Sequence, residues 1–147
     1  MTWLGTAPHA RWLEAETDRL LDFARASRRP SGGFGRLDAV GLPDPAHPVE
    51  LWVTCRMTHV FALGELLGRP GAALLVEHGL DALLGMLHDD EHGGWFAAAD
   101  DDGPVNPAKE AYGHAFVVLA GSSAASAGHE RGTALLASLP RRSKSCR

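Results

Sequence analysis

The sequence predicts an all-α chain built from helical hairpin repeats, and three observations carry that expectation. Apolar residues recur at helical spacing along five segments, and no segment alternates convincingly with period two. A Gly-Gly-aromatic loop leads into a helix twice, at Gly32-Gly33-Phe34 and at Gly93-Gly94-Trp95. β-structure is therefore expected to be minor and confined to the loops. Repeated hairpins bury their apolar faces only by stacking on neighbours, so the pattern implies an α/α solenoid or closed toroid, for which two units are too few.

The first helix begins at about Pro8, with Leu13, Thr17, Leu20, Leu21 and Ala24 on one face and Glu14, Glu16, Asp18 and Arg25 on the other. A loop follows over residues 29–48, where Gly32, Gly33, Pro43, Pro45 and Pro48 forbid regular structure. The second helix is expected over residues 49–67, stopping at Gly68 and Pro70, and the third over residues 71–87, carrying Leu74, Leu75, Leu80, Leu83, Leu84 and Leu87. A second Gly-, Pro- and Asp-rich loop spans residues 88–107 before a fourth helix over residues 108–123. A fifth starts near His129 with Ala134, Leu135, Leu136 and Leu139. His59-Val60-Phe61 and His114-Ala115-Phe116 occupy similar depths in the second and fourth helices, so the repeat period reads as 55 from the histidines or 61 from the glycine pairs.

The second helix carries the chemistry. At 100° per residue, Trp52, Arg56, His59 and Leu63 share a stripe roughly 60° wide. Val53, Met57, Val60, Gly64 and Leu67 form a second stripe, which leaves only Thr54, Thr58 and Glu65 for a solvated side, so the helix is expected to be enclosed nearly all round. A buried guanidinium needs compensation, since even an unpaired neutral polar group costs about 1–3 kcal/mol. An isolated arginine of this kind is usually a core residue paired with a carboxylate from a neighbouring helix. With an indole and an imidazole on the same stripe, a pocket wall is the better reading.

Composition narrows the class. The 147 residues suffice for one domain, and the net charge of −4 hides an asymmetry: Arg141, Arg142, Lys144 and Arg147 hold 4 of the 14 basic residues, leaving 10 against 18 acidic ones. That balance excludes a nucleic-acid partner. Cys55 and Cys146 show no disulfide or zinc spacing, no stretch of about 18 apolar residues appears, and the N-terminus lacks a signal-peptide pattern, so a cytoplasmic protein without a membrane partner is expected. Beyond Leu139 both pattern and composition change. Residues 1–139 are expected to be one helical unit and residues 140–147 a basic tail, either disordered or the product of a frameshift or truncation, with the shortage of repeats favouring the latter.

Trp52, the following Arg56-Met57-Thr58-His59, the two Gly-Gly-aromatic loops and Lys109-Glu110-Ala111-Tyr112-Gly113-His114-Ala115-Phe116 together give a chain that resembles the N-acylglucosamine 2-epimerase family, which includes mannose and sulfoquinovose isomerases. The resemblance covers about residues 9–139, and it implies that these residues are the N-terminal portion of a much longer (α/α)6 toroid with the second and fourth helices inside. It implies aldose–ketose isomerisation or C2 epimerisation of an open-chain sugar, mannose-like or N-acylglucosamine-like, through a cis-enediol. In such a site Arg56 stabilises the enediolate, Trp52 walls the sugar and Tyr112, matching the family's Lys-x-x-Tyr helix, bonds a hydroxyl. The resemblance also implies that the acid and base histidines of the family come from later helices, which this chain is expected to lack. His59 is expected to orient Arg56 or bond a neighbouring helix, His114 to pack in the core, and Lys109 to be solvated or to pair with a carboxylate near the pocket mouth. No cofactor is expected: some family members respond to ATP, but no Gly-x-x-x-x-Gly-Lys-Ser/Thr loop occurs.

Three other readings compete. His88-Asp89-Asp90-Glu91-His92 collects five potential metal ligands, but in a loop rather than on a helix that would align both rings, so no metal is expected; Asp100-Asp101-Asp102-Gly103 reads as a turn. Inverting glycosidases also use α/α toroids with two carboxylates roughly 6.5–9.5 Å apart. Asp38 and Glu50 are available for that role, and a buried Glu110 would favour it. Finally, an open toroid edge exposes apolar surface, which leaves a homo-oligomer or a non-catalytic interaction fragment open.

Overall fold

A computed structural model describes residues 2–139; the expectations for the tail at 140–147 lie outside the described residues. The described residues form five helices, α1 (Ala7–Arg25), α2 (Leu51–Leu66), α3 (Ala72–Leu84), α4 (Ala111–Ser126) and α5 (Glu130–Ala137), and three short strands, β1 (Val49–Glu50), β2 (Ala98–Asp100) and β3 (Gly103–Asn106), in the order α1-β1-α2-α3-β2-β3-α4-α5. α2 and α4 lie side by side, α3 packs on α2 and α5 on α4, while α1 touches α2 only lightly. The strands form one antiparallel sheet in the order β1-β2-β3, with a bulge at Ala98/Ala99 and a turn at Asp101-Asp102 that Asp100 closes by accepting the Asp102 N–H at 2.9 Å. The mostly helical fold with minor β-structure matches the periodicity, and the loops hold two of the three strands.

The two hairpins begin with the same device. Ser27 and Gly35 pair across one loop and Leu87 and Phe96 across the other, and in both a backbone N–H at the loop start bonds the second glycine, Arg29 to Gly33 at 3.0 Å and Asp89 to Gly94 at 2.9 Å. Gly33 and Gly94 take φ of +67° and +82°, and a Cβ there would lie 2.7 Å from Val49 Cγ1 or 2.8 Å from His114 Nε2, so neither position accepts a side chain. The aromatic residue that follows is fully buried, and its N–H donates to the fourth residue of the next inner helix: Phe34 to Thr54 Oγ1 at 3.2 Å, Trp95 to His114 Nε2 at 3.3 Å. These correspondences fix the repeat at 60–61 residues and make His114 the counterpart of Thr54. The 55-residue spacing between His59 and His114 is a coincidence of sequence, not a geometric repeat.

Several boundary and burial expectations need correction. Val49-Glu50 is a strand that runs into α2, because the Leu51 N–H bonds Ala97 O at 2.9 Å and starts the helix two residues late. α3 ends at Leu84 rather than Leu87, and α4 runs over Ala111–Ser126 rather than 108–123. Thr54 and Thr58 are fully buried rather than solvated: Thr54 accepts from Phe34, and Thr58 Oγ1 donates to Thr54 O at 2.8 Å, so their hydroxyls are satisfied inside. Conversely α2 is not enclosed, since Arg56, Val60 and Leu63 are exposed on the far side. On α1 only Leu21 is buried, while Leu13 and Leu20 of its expected core face lie open.

α5 is short, and an ionic cluster fastens its start. His129, its N-cap residue, bonds Glu65 of α2 through Nε2 at 2.6 Å and Glu77 of α3 through Nδ1. Arg131 reaches Glu77 at 2.9 Å and Asp81 at 2.6 Å. Burial opposes the charge on His129, but the hydrogen bonds its ring N–H groups donate to Glu65 and Glu77 outweigh it and raise the imidazole pKa; burial likewise opposes the Glu77 charge, and the bonds it accepts from His129 and Arg131 outweigh that and lower its pKa. A raised histidine pKa stabilises the fold fully below its unfolded value of roughly 6.5 and stops doing so as pH rises through the folded value. The thermal midpoint of the chain should therefore fall as the pH rises above roughly 6.5, and less steeply in His129→Gln; equal slopes from melts at matched pH would show that the imidazole is not the charged bridge.

Candidate functional site

The second and sixth residues of the two inner helices meet at the exposed side of the α2/α4 contact. Trp52 and Arg56 come from α2, Tyr112 and Phe116 from α4. The Arg56 guanidinium carbon lies 5.6 Å from the centroid of the Trp52 ring and 5.6 Å from that of Phe116. Tyr112 stands edge-on to Phe116 at 4.9 Å and 72° and is 59% exposed. Among the described residues Arg56 makes no hydrogen bond or ion pair, so the core-arginine alternative, which needs a carboxylate partner, does not hold. Beside the cluster a narrow crevice is lined by Leu51, Trp52, Ala97, Glu110, Tyr112 and Gly113.

The other predicted residues lie around this patch. His59, one turn beyond Arg56, places Nδ1 2.7 Å from Ser123 Oγ and so ties α2 to α4. His114 uses both nitrogens: Nδ1–H donates to Glu110 O at 2.8 Å and Nε2 accepts the Trp95 N–H, with the ring edge-on to Trp95 at 5.5 Å. Both ring nitrogens are thus engaged in holding the second Gly-Gly loop to α4. Lys109 sits below the patch, its Nζ 2.6 Å from Asp89 Oδ2 and also bonded to Gly93 O, which clamps the second Gly-Gly loop to the start of α4. Asp89 is buried; Lys109 and the N–H groups of His92 and Glu91 hold its pKa down at about 2.

The same contacts speak against the competing chemistries. Asp89 is occupied by that clamp, and His88 bonds Asp90 at 2.7 Å and stacks edge-on to Trp95; among the described residues no three histidine, cysteine or acidic side chains converge as metal ligands. Of the glycosidase candidates, Asp38 accepts the N–H groups of Val40 and Leu42 to shape its loop, and Glu50 is held by Arg36 through two bonds of 2.7 and 3.0 Å that lower its pKa. Glu110 is exposed rather than buried. Burial pushes the Cys55 thiol far up, which leaves it an inert core residue. Among the described residues no helix is long and apolar enough to cross a membrane.

Two members of the arrangement escaped the sequence reading, Phe116 and Ser123. For Phe116 a signal existed: counting the repeat at 60 from the glutamates that cap α2 and α4 sets Phe116 opposite Arg56 and Tyr112 opposite Trp52.

The family model for N-acylglucosamine 2-epimerase matches residues 32–143. The D-mannose isomerase of Thermobifida fusca is 52% identical over 135 residues, covering 91% of this chain and 33% of that protein. The D-mannose isomerase of Pseudomonas cannabina pv. alisalensis is 48% identical over 136 residues, covering 92% and 32% respectively. Among solved structures, a D-mannose isomerase superposes with a TM-score of 0.80 at 21% identity over 93% of this chain and 35% of that one. The cellobiose 2-epimerase of Spirochaeta thermophila superposes with 0.72 at 25% identity, over 91% and 37%. The chain thus spans about a third of the length of these relatives, and its hairpins are those of part of an (α/α)6 toroid. On the match over most of its length, the chain belongs to the N-acylglucosamine 2-epimerase family.

Proposed function

We propose that α2 and α4 form one wall of the sugar pocket of an aldose–ketose isomerase or C2 epimerase, with a mannose-like monosaccharide as substrate. The observation that carries this reading is Arg56, a full positive charge set between two aromatic rings on an open face with no carboxylate partner among the described residues. A base removes the proton from the carbon next to the carbonyl, an acid protonates the carbonyl oxygen, and the negative charge that develops on oxygen is what Arg56 stabilises. Proton delivery to the former carbonyl carbon, with loss of the proton from the neighbouring hydroxyl, gives isomerisation; return of a proton to the original carbon on the other face, with loss of the proton from the first oxygen, gives epimerisation. Trp52 lays an apolar face against the sugar C–H groups, and Tyr112 offers its hydroxyl to a sugar oxygen. His59 and His114 are engaged in holding the wall, so the acid and base belong to other helices of the toroid. The names of the 52% and 48% identical relatives favour mannose over N-acylglucosamine.

A chimera tests this. Residues 9–139 should replace the matching third of the Thermobifida fusca D-mannose isomerase, with mannose-to-fructose conversion as the readout. The chimera should turn over mannose, and Arg56→Ala in it should lower kcat/KM by about 10²–10³-fold while the melting temperature moves by only a few degrees. Turnover that survives Arg56→Ala, or falls only in step with stability, overturns the assignment.

A further inference from the structure

Resting on the reading above, we propose that Phe116 is a positioning residue that orients the Arg56 guanidinium across the α2/α4 contact. An arginine at a site of developing charge is commonly held by a carboxylate, which fixes its direction but also spends part of its field. Here the described residues supply no such carboxylate, and the two contacts that orient Arg56 are the faces of Trp52 and Phe116, each 5.6 Å from the guanidinium carbon. Aromatic faces attract a cation through the ring quadrupole without cancelling its charge, so the whole field remains for an oxyanion.

The two rings are not equivalent. Trp52 precedes Arg56 by four residues on the same helix and travels with it, so it fixes the side chain relative to α2 alone. Phe116 comes from α4, is braced edge-on by Tyr112, and sits at the repeat position that Arg56 occupies on α2. It therefore sets the direction in which the guanidinium leans between the helices. The repeat has diverged so that one unit supplies the cation and the other the surface that aims it. Without the Phe116 ring, Arg56 would keep its stacking on Trp52 and gain freedom toward solvent.

The test uses the whole 147-residue chain and nitrogen-15 spectra of the Arg56 Nε–H group, assigned with Arg56→Lys. In the wild type this signal should carry a ring-current shift and a rigid heteronuclear NOE. In Phe116→Leu it should move toward the free-arginine position and lose its NOE, and in Phe116→Tyr it should stay. Pentafluorophenylalanine at position 116, which keeps the shape but reverses the quadrupole, should act like Leu, so a failure of the Leu variant to fold does not spare the idea. An Arg56 signal unchanged by both substitutions overturns it. In the chimera, Phe116→Leu should lower kcat about 10-fold with KM within 2-fold, and Phe116→Tyr should restore most of the loss; an unchanged kcat also overturns the positioning role. The failure of the site reading is distinguishable: turnover then survives Arg56→Ala while the spectra still report an oriented guanidinium.

Discussion

Trp95→Ala should remove about 3–5 kcal/mol of folding stability, enough to unfold a substantial fraction of a marginally stable chain. Trp95 is fully buried, and its ring touches His88 and His114 edge-on at 5.2 and 5.5 Å. Its Nε1–H donates to Leu83 O at 2.6 Å, and this bond serves a carbonyl in the last turn of α3 that the helix itself cannot satisfy. Truncation leaves a cavity, an unpaired carbonyl and a His114 ring without its neighbour. Trp95→Phe separates these costs, since it fills most of the space but lacks the donor, and should lose about 1–3 kcal/mol. Urea melts followed by circular dichroism decide the matter; a loss under about 1 kcal/mol for Trp95→Ala would mean that the loop repacks, in the manner of sites that collapse well after truncation. The consequence reaches the site, because His114 anchors the first turn of α4, from which Tyr112 and Phe116 project.

Which features were legible in the sequence follows from how local their causes are. Helices, the Gly-Gly turns and the stop at Gly68 were readable because period, backbone freedom and capping act within a few residues; the Gly68 N–H indeed closes on Glu65 O at 2.8 Å. The burial of α2 was read inside out. Thr54 and Thr58 look like a solvated side, but their hydroxyls bond within the hairpin and so hide their polarity, while the Arg56 stripe is apolar enough to look like core although Arg56 and Leu63 lie exposed on it. Trp52 and Arg56 stand out because unusual side chains on one helix face are visible as a pattern, whereas Tyr112, on the other inner helix, is singled out only by the resemblance to the family's Lys-x-x-Tyr helix. Phe116 was missed because its importance is a relation between two helices, and the misread 55-residue period paired the wrong residues. The Lys109–Asp89 pair and the His129 cluster join residues 20 to 64 apart, which no single-helix pattern reveals.

The contact between α2 and α3 at Gly79 makes the opposite prediction to helix propensity. Replacing a mid-helix glycine by alanine ordinarily stabilises by up to about 1 kcal/mol. At Gly79 of α3, however, a Cβ would stand 2.0 Å from Thr58 Oγ1, 3.1 Å from Thr58 Cβ and 3.2 Å from Phe34 Cε2. Thr58 cannot turn aside freely, because its hydroxyl is bonded to Thr54 O and a β-branched residue in a helix has few rotamers. α2 and α3 must separate, and Gly79→Ala should cost about 2 kcal/mol net, within the range for overpacking. Thr58→Ala removes the nearest atom, so the double variant should be more stable than the sum of the single effects by about 1–2 kcal/mol. Additivity within about 0.5 kcal/mol would place the strain elsewhere. The displacement also moves α2 as a body, and with it Trp52 and Arg56 relative to α4. Gly79→Ala should therefore loosen the Arg56 Nε–H signal without touching either aromatic ring, and Thr58→Ala should restore it. A helix contact on the buried side of α2 is thereby coupled to the direction of a cation on its open side, through the rigidity of the helix between them.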